Sequence, residues 1–271
     1  EQWSRGWSSI LFLLTCWQTG AMIFRVTQNR LMSFFGASLF AVTPKIIVIS
    51  SWSYAEPAVW FFAVCCVGRL MYSRTTGSLI DIFLAGLFAG IAALVKNEGI
   101  LFAISGLILL MTISSTKSFK HLCLYICPLV ILCLPWMIWT RLVMGYHSEA
   151  LSGLIFNKER IVIATGRIWL ALRHVFRIWM DVRQWSATLF IVLAGVIWIL
   201  IRRSDLREKL PLIMPLLLLM GHFIIILFHA CDMVWIINTS WDRTTAQILA
   251  VTIPVVCICG YGKQTMCWKT A

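Results

Sequence analysis

Charge is what this sequence has least of: 13% of the 271 residues are charged and only eleven are acidic, against roughly a quarter charged in a soluble domain. A chain that is 60% hydrophobic and so poor in charge excludes a soluble globular protein and points to a polytopic membrane protein. The shortage of acids leaves a net charge of +12, which in a soluble chain would suggest nucleic acid. Here the 23 basic residues mostly occupy short connections between apolar runs, where they orient a protein in a bilayer, so no nucleic-acid partner is expected. Zinc-type pairs of cysteine pairs are also missing. The ten cysteines, including Cys65 beside Cys66, Cys123 with Cys127 and Cys257 with Cys259, sit mostly inside apolar runs and read as small buried hydrophobes. No cationic region and small-residue cleavage site precede the first apolar run, so no signal peptide is read. The chain starts at Glu1 without an initiator Met, and a truncated or processed start is expected. With no internal repeat or low-complexity segment, residues 1–271 are read as one integral membrane domain.

What is present is a series of apolar runs of roughly 16 to 22 residues, the length a helix needs to cross about 30 Å of hydrocarbon. They lie at Trp7 to Phe24, Leu31 to Ile49, Pro57 to Tyr72, Leu79 to Val95, Gly99 to Ser114, Leu122 to Val143, Ser186 to Ile201, Leu210 to Phe228 and Thr244 to Gly260. The expected fold is all-α, a helical bundle of about nine spans. Alternate connections carry Arg25 and Arg30, Arg74, Lys117 and Lys120, Arg202, Arg203, Arg207 and Lys209, then Lys263 and Lys269, and the positive-inside rule makes that side cytoplasmic. Asp81, Asp205 and Glu208 share it; the other eight acids fall on the opposite side or at the outer ends of spans. Nine spans put the N-terminus outside, which agrees with one span lost upstream.

Segment 144–185 is too long for a simple connection and breaks the charge rule with Lys158, Arg160, Arg167, Arg173, Arg177 and Arg183. Within it Arg167, His174, Arg177 and Asp181 recur at helical spacing, opposite Ile168, Trp169, Leu172, Val175, Phe176 and Trp179. That pattern predicts an amphipathic helix in the outer membrane interface, either anchored on anionic lipid heads or walling a groove for a phosphate.

Lys96, Asn97 and Glu98 interrupt apolar sequence where a charge at mid-bilayer depth would cost roughly 2.5 to 3.5 kcal/mol. Their position between two runs puts them at the outer ends of spans instead. A solvated turn ending in Gly99 would account for them alone, but Glu56, Asp242, Arg243, His229 and Asp232 are expected on the same face. Cations gathered at an interface stabilise negative charge on a leaving phosphate, and a carboxylate near an incoming hydroxyl serves as general base.

The order of Tyr54-Ala55-Glu56-Pro57, LAGLFAGIAALVKNEGILF and NTSWDRTTAQILAVTIPV resembles the GT-C superfamily of membrane glycosyltransferases, in particular the branch of protein O-mannosyltransferases and aminoarabinose transferases. A small-residue helix followed by a KNEG-type turn recurs in that branch and is matched at Gly86, Gly90, Lys96, Asn97, Glu98 and Gly99; the resemblance runs from about Trp7 to Pro254. It implies hexosyl or pentosyl transfer from a polyprenyl-phosphate-linked donor to a lipid, glycan or protein acceptor on the extracytoplasmic face of a bacterial inner membrane or endoplasmic reticulum, with inversion at the anomeric carbon. It also implies Lys96 and Arg243 as binders of the donor phosphate and Glu98 and Asp242 as orienting partners. Glu56 stands where such proteins commonly carry Asp, and is read as a secondary acid that could assist the acceptor or hold a divalent ion. The family's main catalytic carboxylate lies in its first outer loop, which would precede Glu1, so this stretch alone is expected to lack the general base and to be inactive.

Other residues have plainer readings. Trp3, Trp7, Trp52, Trp60, Trp139, Trp169, Trp179, Trp185, Trp235 and Trp241 suit an outer aromatic belt, with sugar stacking open to Trp52 or Trp241. His222 reads as an interhelical hydrogen-bonding residue and His147 stays open. Asn238-Thr239-Ser240 is a glycosylation sequon on the outer side. The rival classes are a transporter or flippase, which would line a path through the bilayer centre with ionisable groups, and a non-catalytic membrane subunit.

Overall fold

The structure, a computed structural model, describes residues 2–52, 55–113, 119–143, 158–202, 205–229 and 233–261. Hydrocarbon offers backbone groups no partner, and helices satisfy theirs segment by segment. The first half holds α1 (Gln2–Thr27), α2 (Arg30–Ala41), α3 (Pro44–Ser51), α4 (Glu56–Thr76), α5 (Leu79–Val95), α6 (Gly99–Ile113) and α7 (Phe119–Ile138), the last continued by a π-helical turn at Trp139–Val143. The second half holds α8 (Lys158–Trp179), α9 (Val182–Trp185), α10 (Thr188–Ile201), α11 (Leu206–Lys209), α12 (Ile213–Phe228) and α13 (Met233–Tyr261).

Helices occupy most of every expected run. Gly6–Thr27, Phe119–Ile138, Leu206–Phe228 and Met233–Tyr261 are each long and apolar enough to cross a membrane, and α2 with α3 make a fifth if the bent pair is one span. Leu79–Val95, Gly99–Ile113 and Thr188–Ile201 are apolar but shorter. Among the described residues the fold is therefore all-helical, with several helices whose length and composition suggest a membrane protein.

Two expected boundaries are corrected. The run Leu31 to Ile49 is not one straight helix: α2 and α3 meet at 62°. Pro44 stands in the first turn of α3, where its missing N–H and fixed φ suit a helix start and could not continue the helix before it. The last helix begins at Met233 rather than Thr244, so Asn238 to Arg243 are helical and not part of a connection.

That last helix, α13, is the axis of the bundle. It packs on α1, α2, α4, α8, α10 and α12, and Ala246, Ala250, Val251, Val255 and Ile258 are buried along it. On one flank α5 is held between α4 and α7. A Cβ on Gly86 would collide with the Tyr125 carbonyl, so glycine there lets α5 and α7 approach, while the Tyr125 hydroxyl donates to Ala103 O in α6 at 3.0 Å. Gly77 closes α4 at φ 70° and Ser78 caps α5 through Asp81 N; the positive φ favours glycine. Asp81 is buried and paired with Arg69 at 2.8 Å.

At the end of the bundle where α4 turns into α5, Arg74 donates to Arg207 O at 2.8 Å and Arg202 to Gly260 O at 3.3 Å. The opposite end joins α3 to α4, α5 to α6 and α12 to α13, and every predicted site residue among the described ones lies there.

The amphipathic helix exists as α8, with its faces assigned differently from the simple polar–apolar split. Ala164, Ala171 and Val175 are buried against Ile226, Ile237 and Trp241. Arg167 turns inward and donates to His229 O at 3.3 Å, while Trp169, Leu172 and Phe176 are exposed. Residues 144–157, His147 among them, lie outside the described residues.

Candidate functional site

Glu56 opens α4 and Lys96 caps the C-terminal end of the antiparallel α5. An acid at a helix N-terminus and a cation at a C-terminus each suit the local helix dipole, and the two meet: Lys96 Nζ donates to Glu56 Oε1 at 2.8 Å. Arg243 reaches the same oxygen from α13, Nη1 to Oε1 at 3.3 Å. Its Nη2 donates to Thr239 O and Ser240 Oγ at 3.1 and 3.4 Å, which fixes the guanidinium against its own helix. An isolated buried carboxylate would be strongly disfavoured, and two cations on one oxygen offset that penalty.

Glu98 accepts from Lys96 at 3.0 Å. Asp242, expected to orient Arg243, instead pairs with Lys45 at 2.5 Å. Sequence reasoning missed Lys45, which lies inside the run read as the second span; Pro44 beside it was the available signal, because a helix restarting there turns Lys45 toward α13. The result is a cluster of three cations and three carboxylates drawn from α3, α4, the α5–α6 turn and α13. Its members are not equally covered. Glu56 is 2% exposed at its side chain, whereas Lys96 and Arg243 are 23% and 28% exposed, so this ion triplet turns its positive side outward.

Depth follows from helix rise. At about 1.5 Å per residue, Glu56 stands about 30 Å from Thr76, Lys96 about 26 Å from Leu79 and Arg243 about 27 Å from Tyr261. All three values are close to one hydrocarbon thickness, about 30 Å, which sets the cluster at head-group level when the other helix ends lie at the opposite boundary.

The remaining candidates scatter. His229 is at the end of α12 and gives its carbonyl to Arg167, while Asp232 and Tyr54 lie outside the described residues. Trp52 is exposed. Trp241 is fully buried beside Trp179, ring centroids 6.1 Å apart, so it is neither belt nor sugar platform; Trp60 and Trp185 are likewise buried and leave the belt. The His222 ring bonds Leu218 O of its own helix at 2.8 Å and also meets the Gln247 side chain of α13. Asn238 is exposed, but within α13. For a divalent ion the setting is poor. Among the described residues no three His, Cys, Asp or Glu side chains gather to hold one, and Glu56 already faces two cations that would repel it.

An apolar groove of about 240 Å³ lies between α10, α12 and α13, lined by Leu189, Leu193, Pro215, Leu219 and Leu249 with Trp179 at one end. On α13 it uses Thr245, Leu249 and Thr252, a stripe on the opposite side of the helix from Arg243. It is thus separate from the charged cluster. No protein-family model, no curated protein and no solved structure matches the chain.

Proposed function

We propose that this protein is a GT-C-like membrane glycosyltransferase, its nine helical runs serving as spans, that moves a sugar from a polyprenyl phosphate to an acceptor at the extracytoplasmic boundary. The observation that carries the reading is the convergence of Lys96 and Arg243 on the buried Glu56 at one end of the bundle, with the cations more exposed than the carboxylate. A lipid phosphate at head-group depth would meet Lys96 and Arg243 and displace Glu98, the most exposed acid of the cluster at 30%. Glu56 then holds the two cations at a fixed spacing, and their preorganised charge stabilises the phosphate as it leaves the anomeric carbon. The test is transfer from a labelled polyprenyl-phosphate sugar by the protein reconstituted in liposomes. Turnover that falls at least 100-fold in Lys96→Ala and Arg243→Ala supports the reading; normal turnover in the double variant contradicts it.

The balance of three cations against three carboxylates favours a second reading, a non-catalytic membrane subunit in which the ion pairs only lock helices together. In that case the same variants lower the melting temperature and the unaltered protein transfers nothing.

A further inference from the structure

The apolar groove between α10, α12 and α13 has a direction that its lining fixes. α12 runs toward the end of the bundle that carries the charged cluster, and α13 runs back from it. α10 finishes where α13 finishes, because Arg202 after it reaches Gly260 O. Leu189, Leu219 and Thr245 therefore line the groove on the cluster's side, and Val196, Leu212 and Thr252 line its far end. At about 1.5 Å per residue each helix gives a wall about 10 Å long. On α13 that wall begins about 3 Å below Arg243 and stops about 14 Å short of Tyr261. One leaflet of hydrocarbon is about 15 Å deep, so the groove lies in the leaflet on the cluster's side and spans most of its depth.

The wall offers nothing to a polar guest. Its two hydroxyls are engaged inside the protein: Thr245 Oγ1 accepts from Trp179 Nε1 at 3.1 Å, and Thr252 Oγ1 donates to Ile248 O at 2.7 Å. Hydrocarbon, two aromatic rings and the Met180 thioether remain. A helix is about 10 Å across with its side chains and would need several times the 240 Å³ of the groove, whereas a single lipid chain is thin enough to enter.

The mouth on the cluster's side is cationic. Trp179 and Met180 border it, and the Met180 N–H still bonds Phe176 O, so Arg177 stands one turn before Met180 on the same helix face. Arg183 follows three residues later, in α9. Both guanidinium side chains are exposed, and neither forms an ion pair among the described residues. The acid between them is occupied: Asp181 accepts from Arg183 N at 3.1 Å and from Gln184 Nε2 at 2.8 Å.

We propose that this groove holds one acyl chain of an anionic phospholipid whose phosphate is bound by Arg177 and Arg183 at its mouth. Guanidinium groups suit a phosphate, and the depth, length and apolar wall suit the chain below it. The site rests on the helices crossing a bilayer and not on sugar transfer.

Photo-crosslinking of the protein in liposomes tests this, with phosphatidylglycerol carrying a diazirine in one acyl chain, or phosphatidylcholine carrying the same chain. Peptide mass spectrometry should find the phosphatidylglycerol label concentrated around Leu193, Pro215 and Leu249. It should exceed the label at Ile131 and Leu134 on the exposed face of α7, which meets bulk lipid. Phosphatidylcholine should label the groove about 5-fold less, the effect of one cation near an anionic lipid surface. Arg177→Gln with Arg183→Gln, both at the surface, should remove that preference. Leu193→Trp should fill the groove and lower its labelling by both lipids, while unchanged labelling of α7 reports an intact fold. Groove labelling no higher than that of α7 overturns the proposal, as does equal labelling by the two lipids or a preference that survives the double arginine variant. A groove shielded from both lipids and cross-linked to a second copy of the chain overturns it in favour of a protein partner.

Discussion

Lys45 and Asp242 meet at 2.5 Å, although one follows the break between α2 and α3 and the other lies ten residues into α13. The pair fastens the short α3 to the axial helix, while the hydroxyl contact of Thr43 and Thr188 at 2.8 Å ties the start of α3 to α10. Both charges are about four-fifths covered. Replacing Lys45 by Met should therefore destabilise the protein by about 1–3 kcal/mol, the range for a charged hydrogen bond broken in a partly solvated place. Thermal or denaturant unfolding in micelles measures this. The double variant with Asp242→Asn should lose less than the sum of the single losses, because the second change removes a charge already stranded.

Glu56 and Glu98 touch the same ammonium and should nevertheless behave oppositely. Glu56→Gln removes the charge that draws Lys96 and Arg243 together, so it should destabilise the protein and weaken binding of an anionic lipid head. Glu98→Gln removes a competitor on the open side of Lys96, so binding should tighten severalfold with little change in stability. Titration of polyprenyl phosphate into the two variants, alongside their melting curves, checks the contrast.

Gly86 and the carbonyl of Tyr125 fix the spacing of α5 and α7. Because the obstacle is backbone rather than the end of a flexible side chain, Gly86→Ala should force the helices apart at a cost of about 1–3 kcal/mol. The displaced α5 carries Lys96 with it, so affinity for the lipid head should fall as well. A variant as stable as the original protein would show that the two helices do not pack so closely.

Much of the site was legible because charge is so scarce. Lys96, Glu98, Glu56 and Arg243 stand out in apolar sequence since each would be costly at mid-bilayer, and charges of opposite sign at such positions tend to be one another's partners. Lys45 was not legible. The run around it is apolar on average, and average hydropathy does not register that Pro44 ends one helix and starts another. The beginning of α13 was missed for the converse reason: Asn238 to Asp242 are polar and suggest a connection, yet in the helix Asp242 pairs with Lys45 and Arg243 with Glu56 while Trp241 is buried. The inward turn of Arg167 depends on the carbonyl of His229, a partner 62 residues away.

The most direct test of the central claim is the affinity of the protein for sugar-free polyprenyl phosphate in nanodiscs, compared with that of Lys96→Ala, Arg243→Ala and the double variant at constant ionic strength. Each charge-assisted contact is worth about 1.5–3 kcal/mol, so Kd should rise roughly 10- to 100-fold in each single variant whose helix content is unchanged. A double variant that binds the phosphate as tightly as the unaltered protein would contradict the account.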